Sequence, residues 1–180
     1  MKGEKELEEN KREKILFNRD EIARRVRELG REISLSYKDR EIVVISLLRG
    51  SFVFAADLVR ELSVPVEIDF MTTSSYGDSE TSSGIVDIVN DIRTSIKGKD
   101  VLIVDDIMDS GYTLEKVIEH LEMKEPNSIE ICVMLDKPSR RKVDLSPNFV
   151  GFSIPDVFIV GYGLNYGSYY RNIPYIFTFE

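Results

Sequence analysis

The stretch VLIVDDIMDSGYTL, residues 101–114, decides how the chain is read. Val101 to Val104 form an apolar, largely β-branched run, Gly111 marks a turn, and a helical pattern runs from about 112 to 124 and stops near Pro126. A strand that enters a helix through a small glycine-bearing turn is a seat for phosphate. The helix N-terminus offers unpaired N–H groups and the positive end of its dipole. Yet three carboxylates, Asp105, Asp106 and Asp109, stand in that seat. Asp109 and Ser110 could simply cap the helix. That explains one such residue and leaves the adjacent, mutually repulsive pair Asp105 and Asp106 without a role.

Working outward, NRDEIARRVRELGREISLSY (18–37) carries a helix start. Asn18 can cap, Glu21 completes a capping box, and Ile22, Val26, Leu29 and Ile33 share one face. IVVISLL (42–48) is a continuous apolar run of the kind covered on both faces of a sheet, and FVFAADLVREL (52–62) is an apolar helix. VPVEIDF (64–70) and IVDIVNDI (85–92) alternate apolar and acidic residues, as the half-exposed arms of a long hairpin do. Between them MTTSSYGDSETSSG (71–84) is polar, and a loop of that length is either disordered or an active-site lid. SIEICVML (128–135) is a further buried strand ending at DKPSRRK. Short strands follow around FVGFSI, DVFIVGYG and YIFTF, with the tyrosine- and glycine-rich loop YGLNYGSYYRN between the last two. Strands alternating with helices predict an α/β domain with a largely parallel sheet. Residues 1–14 are charge-rich and read as a solvated or frayed helix.

The 180 residues, 42% hydrophobic and 31% charged, fit one globular domain. A net charge of −8 and a pI near 4.9 argue against a nucleic-acid surface. No window is apolar enough to span a bilayer and the N-terminal segment has no secretory core, so a cytoplasmic location and no membrane partner are expected. Cys132 lies in an apolar run and reads as a small buried hydrophobe. His120 has no second histidine to form a metal site or triad and reads as a surface or helix-end residue.

In a parallel sheet, ligands bind beyond the carboxyl ends of the strands. Three such ends carry chemically equipped turns: LLRGS, DDIMDSGYT and LDKPSRR. After Asp109, residues Ser110, Gly111 and Thr113 offer backbone N–H groups and hydroxyls to a phosphate monoester. Asp105 and Asp106 become reasonable if the same ligand brings hydroxyl donors or a divalent cation. A phosphate joined to a vicinal diol fits both halves, and ribose 5-phosphate is the common example. SLLRGS offers a second anion seat through Gly50, Ser51 and Arg49, although alone it would read as a tight strand-to-helix turn. No Walker lysine motif is present, and GYGLNYG lacks the third glycine and following helix of a dinucleotide site.

VLIVDDIMDSGYTL resembles the phosphoribosyl pyrophosphate motif of the type I phosphoribosyltransferases. SLLRGS, SSYG, MLDKPSRR and FVGFSIPDVFIVGYGLNYGSYYRNIPYI extend the resemblance, to the hypoxanthine-guanine branch, over residues 15–180. It implies a type I phosphoribosyltransferase fold with a parallel core at about 38–150. A small hood would come from the N-terminal segment and about 151–180, and a mobile lid from 71–84. It also implies magnesium dependence and transfer of phosphoribosyl to hypoxanthine or guanine with release of pyrophosphate. Family members form dimers or tetramers.

By the same resemblance, Asp105 and Asp106 hold the ribose hydroxyls directly or through water and Mg2+, while Asp109, Ser110, Gly111, Tyr112 and Thr113 seat the 5-phosphate. Asp109 is also the acid/base for the proton on purine nitrogen 7. Lys137 matches the donor to the purine 6-oxo group, which discriminates against adenine. Phe158 matches the aromatic that stacks on the base, though DVFIV alone reads as core, and Ile159 reads the base edge through its backbone. Leu48, Arg49, Gly50 and Arg171 match the pyrophosphate side, with a cis peptide after Leu48. Ser75 and Tyr76 match the lid dipeptide. Asn165 stands where the family usually has a metal-reaching Asp, keeping one oxygen ligand but losing the charge. The rival readings are a xanthine-preferring or broad 6-oxopurine enzyme and an RNA-binding regulator of the same fold. The regulator would need a basic face, for which the chain offers only RRK at 140–142.

Overall fold

A computed structural model describes residues 12–75 and 86–180. Its strands are β1 (Glu13–Phe17), β2 (Ile42–Leu48), β3 (Val66–Ser75), β4 (Val86–Asn90), β5 (Asp100–Met108), β6 (Ser128–Asp136), β7 (Phe149–Ser153) and β8 (Ile176–Phe179). The helices are α1 (Arg19–Ser36), α2 (Phe52–Val59) and α3 (Tyr112–Glu122), with a single 3₁₀ turn at Pro138–Arg140. Six strands form one sheet in the order β4-β3-β2-β5-β6-β7, and β1 and β8 form a separate antiparallel pair. Within the large sheet only β4 runs antiparallel to its neighbour, so the expected largely parallel α/β architecture is met.

The sheet is buried on both faces because its central strands are apolar throughout. Val44, Leu102, Val104, Cys132 and Met134 pack under α1 and α2. Val43, Ile45, Val101, Ile103 and Val133 pack under α3 through Leu114, Val117 and Leu121. Successive residues of a strand point to opposite faces, so a run such as IVVISLL serves both layers. Burial in that apolar layer also pushes the Cys132 thiol well above its ordinary pKa, as an inert structural residue requires. α1 starts as the sequence predicts. Asn18 Oδ1 accepts from the Asp20 and Glu21 N–H groups at 3.0 Å, and Glu21 Oε2 accepts from the Asn18 N–H at 2.8 Å. Its buried face is Ile22, Val26, Leu29 and Ile33.

Three sequence expectations change. The helix expected over 1–14 gives way at Glu13 to strand β1, which pairs with β8 at the other end of the chain. DVFIVGYG is not a strand: apart from a bridge between Val160 and Phe177 it is irregular, because Gly161, Tyr162 and Gly163 all adopt positive φ. β5 does not end at Val104 but runs on to Met108, so Asp105 and Asp106 lie within the strand.

The extension of β5 opens the site. β2 and β5 pair only as far as Ser46 and Val104. Beyond that point β2 continues on β3 to Leu48 opposite Thr72, and β5 continues on β6 to Met108 opposite Asp136. The two strands part, and they lie where the strand order reverses direction. A crevice at such a switch point is the general location of ligands in open α/β sheets. Among the described residues no helix is long and apolar enough to cross a membrane.

Leu102 is fully buried in the middle of β5, beneath the helices. Leu102→Ala is expected to destabilise the chain by about 2–5 kcal/mol. Urea unfolding checks this as a lowered midpoint with an unchanged slope.

Candidate active site

The crevice between β2 and β5 is a cavity of about 280 Å³, and its lining includes Leu48, Arg49, Gly50, Asp105, Asp106, Asp109, Ser110, Gly111 and Thr113. The residues expected to hold sugar and phosphate therefore come together with the second anion loop. A neighbouring hollow of about 500 Å³ shares Leu48, Arg49 and Thr73 and adds Asn165, Gly167, Ser168 and Arg171.

Asp105 is buried and Asp106 half-buried. Their main local donors are backbone N–H groups: Asp106 N–H to Asp105 Oδ1 at 3.0 Å and Ile107 N–H to Asp106 Oδ1 at 3.1 Å. Burial, reinforced by the neighbouring Asp106 charge, holds the Asp105 carboxyl well above the ordinary carboxylate range. Burial also raises Asp106, while hydrogen bonds and the positive charge of Arg171 oppose the rise. These donors and the Arg171 charge leave both carboxyls raised, and a diol or a divalent ion is the chemistry that would favour their charged form.

The anion seat at α3 is open. Its N-cap is Gly111, at φ 92°, and no side chain caps the helix. Asp109 and Ser110 are thus not the caps that their sequence position allows, and the first-turn N–H groups remain for a ligand. The other seat differs from expectation at Ser51. That hydroxyl is buried, donates to Leu47 O at 2.5 Å and lies 2.7 Å from Ser46 Oγ, so it closes the turn instead of facing an anion. The Leu48–Arg49 peptide is cis, as the resemblance implies. Gly50 is required by close approach: a Cβ there would lie 1.7 Å from Asp106 Oδ2.

At the far end of β5, Asp109 enters a cluster of charges. Arg140 Nε donates to Asp109 Oδ1 at 2.9 Å, and Arg140 Nη1 reaches Asp156 Oδ2 at 3.3 Å. Lys137 Nζ, on a buried side chain, lies 3.6 Å from Asp156 Oδ1 and 4.0 Å from Asp109 Oδ2. Arg141 donates to the Asp109 carbonyl at 2.7 Å and pairs with Asp136. Arg140 and Arg141 lie in the LDKPSRR turn that the sequence marks as chemically equipped, but neither they nor Asp156 were assigned a role in the site by sequence. Phe158 is 57% exposed and meets Tyr166 edge-on at 5.7 Å, so it is not the core residue that DVFIV suggests. The Ile159 side chain is in the core, which leaves only its backbone for a ligand. Tyr112 opens α3 and Ser75 ends β3. Tyr76 and most of the expected lid lie outside the described residues.

Residues 13–167 match the family model described as the phosphoribosyl transferase domain. The hypoxanthine phosphoribosyltransferase of Salmonella typhimurium is 55% identical over 164 residues, covering 90% of this chain and 92% of that protein. The hypoxanthine-guanine phosphoribosyltransferase of Bacillus subtilis is 48% identical over 164 residues, covering 91% of each. A crystal structure of a hypoxanthine phosphoribosyltransferase from Staphylococcus aureus superposes with a TM-score of 0.89 at 42% identity, covering 93% of this chain and 91% of that one. With the crevice, the carboxylate pair and the open helix seat in the places that family sequence motifs imply, the chain belongs to the phosphoribosyltransferase family.

Proposed function

We propose that the chain transfers the 5-phosphoribosyl group from phosphoribosyl pyrophosphate to hypoxanthine or guanine, giving the nucleoside monophosphate and pyrophosphate. The observation that carries this reading is the buried Asp105–Asp106 pair beside an uncapped helix start in one cavity, in a chain about half identical to enzymes of that name. The α3 N–H groups with Ser110 and Thr113 take the 5-phosphate, and the two carboxylates take the ribose hydroxyls. Arg49, Gly50 and Arg171 face the pyrophosphate. The base lies between the β5 end and Phe158, with Lys137 donating to its 6-oxo group and the Ile159 backbone at its edge.

Displacement at the sugar is then a matter of positioning and charge. As purine nitrogen 9 bonds to ribose C1, the C1–oxygen bond breaks and its electron pair leaves on pyrophosphate. The proton on nitrogen 7 passes to Asp109. Arg140 occupies Oδ1 of that carboxylate, so Oδ2 is the oxygen left for the base. The same anions steady positive charge on the sugar. Ser75 and Tyr76 would close over the reactants and exclude water.

The residues fit magnesium. Asp105 and Asp106 would supply carboxylate oxygens, Asn165 an amide oxygen, and water and the substrates the remainder of the oxygen ligands a hard divalent ion needs. When bound, the ion neutralises charge that gathers on pyrophosphate. The β1–β8 pair would serve as the hood. Exposed Ile68 and Phe70 on β3 support a homodimer or homotetramer, and the setting is the cytoplasm.

Three tests follow from these roles. Steady-state assays of Asp109→Asn should show kcat lowered about 10²–10⁴-fold, with phosphoribosyl pyrophosphate binding nearly intact. Unchanged kcat, with chemistry limiting, would remove Asp109 from proton transfer. Lys137→Ala should weaken 6-oxopurine use by roughly 1.5–3 kcal/mol, the value of a charge-assisted hydrogen bond, and spare sugar-phosphate binding. Equal losses for both ligands would assign Lys137 to the fold or the phosphates. Asn165 donates its amide to Gly167 O at 2.6 Å, a bond that a carboxylate cannot make. Asn165→Asp should therefore turn an anionic oxygen toward the pyrophosphate side and lower the free magnesium needed for half-maximal rate. Superimposable magnesium curves would mean that substrate holds the ion without this residue.

A further inference from the structure

We propose that the hydrogen bond between Tyr162 and Asp57 positions the pyrophosphate loop, making both residues determinants of phosphoribosyl pyrophosphate binding although neither touches substrate. This rests on the function proposed above. Tyr162 is buried at φ 49°, a backbone conformation that L side chains rarely adopt, between Gly161 at 97° and Gly163 at 101°. Two bonds hold it there. Its N–H donates to Ile173 O at 2.8 Å, and its hydroxyl donates to Asp57 Oδ2 at 2.8 Å. Burial and the Asp57 charge push the phenol above its ordinary pKa, which keeps it a donor.

The consequence falls on the next residue. A Cβ on Gly163 would lie 2.0 Å from Gly50 O, and one on Gly50 would lie 1.7 Å from Asp106 Oδ2. The turn at 161–163 thus lies against the backbone of the cis-peptide loop, and that loop lies in turn against the Asp106 carboxylate. Gly163 is also tied to Arg171, whose Nη1 donates to Gly163 O at 2.6 Å and whose carbonyl accepts from the Gly163 N–H at 3.0 Å. Asp57 sits on α2, which begins directly after the Arg49–Gly50–Ser51 turn. The Tyr162–Asp57 bond therefore clamps the C-terminal turn to the helix that follows the anion loop. Releasing it loosens Gly163 from Gly50 and shifts Arg171, at the pyrophosphate end of the site. At the base end, Lys137 stands on another segment, after β6, and Phe158 is separated from the turn by the Val160–Phe177 bridge.

The ordinary alternative is a buried polar pair that only stabilises the fold. That role would lower the active fraction or the stability without separating the two substrates. The test is steady-state kinetics on the full chain with each substrate varied at saturating partner and magnesium. Tyr162→Phe and Asp57→Ala should each raise KM for phosphoribosyl pyrophosphate about tenfold, as expected for loss of one hydrogen bond to a charged group. KM for hypoxanthine should stay within about twofold, and the double variant should lose no more than either single one. Asp57→Asn, which keeps an acceptor for the phenol, should stay near wild type. If Tyr162→Phe fails to fold, the Asp57→Ala and Asp57→Asn pair makes the same comparison. Equal rises in both KM values, loss in kcat alone, or no change would overturn the inference while wild-type turnover upholds the function. Absence of wild-type turnover would overturn both.

Discussion

Two adjacent carboxylates held out of water at the end of β5 are the constraint around which the rest of the site is arranged. A buried charge costs several kcal/mol even after relaxation, which is why the Asp105 carboxyl is held well above the ordinary carboxylate range, and a ligand that brings a diol or a divalent cation offsets that cost. The parting of β2 from β5 after Ser46 and Val104 makes room for that ligand. Gly50 lets the neighbouring backbone come against Asp106, where any Cβ would collide. The carboxylates are thus fixed in place before substrate arrives, and positioning of this kind, in place of bond-making by the protein, is what displacement at a sugar carbon needs.

Charge is sorted along the crevice although the whole chain carries −8. One end has Arg49 and Arg171, the middle has Asp105 and Asp106, and the other end interleaves Lys137 and Arg140 with Asp109 and Asp156. Lys137, the buried member of that cluster, lies between Asp109 and Asp156. Asp156 and Asp109 share it with the exposed Arg140. Global acidity therefore says nothing about what the site binds, since the local field is set by a handful of groups within a few ångströms.

Much of this was legible in the sequence because local pattern and tertiary role agree. The apolar runs 42–48 and 101–104 could only be central strands, and Asn18 with Glu21 marked the start of α1. Where pattern and tertiary role part, reading by pattern fails. β1 is a strand only because Phe177 and its neighbours arrive from the other end of the chain. β5 outruns its apolar stretch because β6 continues to pair with it past the polar Asp105 and Asp106. Ser51 looked like an anion ligand, but in the fold its hydroxyl is spent on Leu47 O. The LDKPSRR turn was marked, but the pairing of its Arg140 with Asp109 and Asp156 was not, because an ion cluster joining separate loops leaves no spacing to detect.

The hairpin that leads into the expected lid shows a further division of labour. Its strands turn Ile68 and Phe70 outward, so little apolar burial holds that part of β3. Its base is held by polar groups instead. Asp69 accepts from the Arg93 and Thr94 N–H groups at 2.6 and 2.7 Å, and Asp91 pairs with His120 at 2.9 Å and Lys124 at 2.7 Å. Against the opposing effect of burial, backbone N–H bonds hold Asp69 below its ordinary range, and hydrogen bonds from Lys124 and His120 do the same for Asp91. His120, which by sequence had no chemical role, thus ties β4 to the last turn of α3. α3 is the same helix whose first turn faces the phosphate seat. The base of the hairpin is thus fixed to the helix whose start forms the phosphate seat.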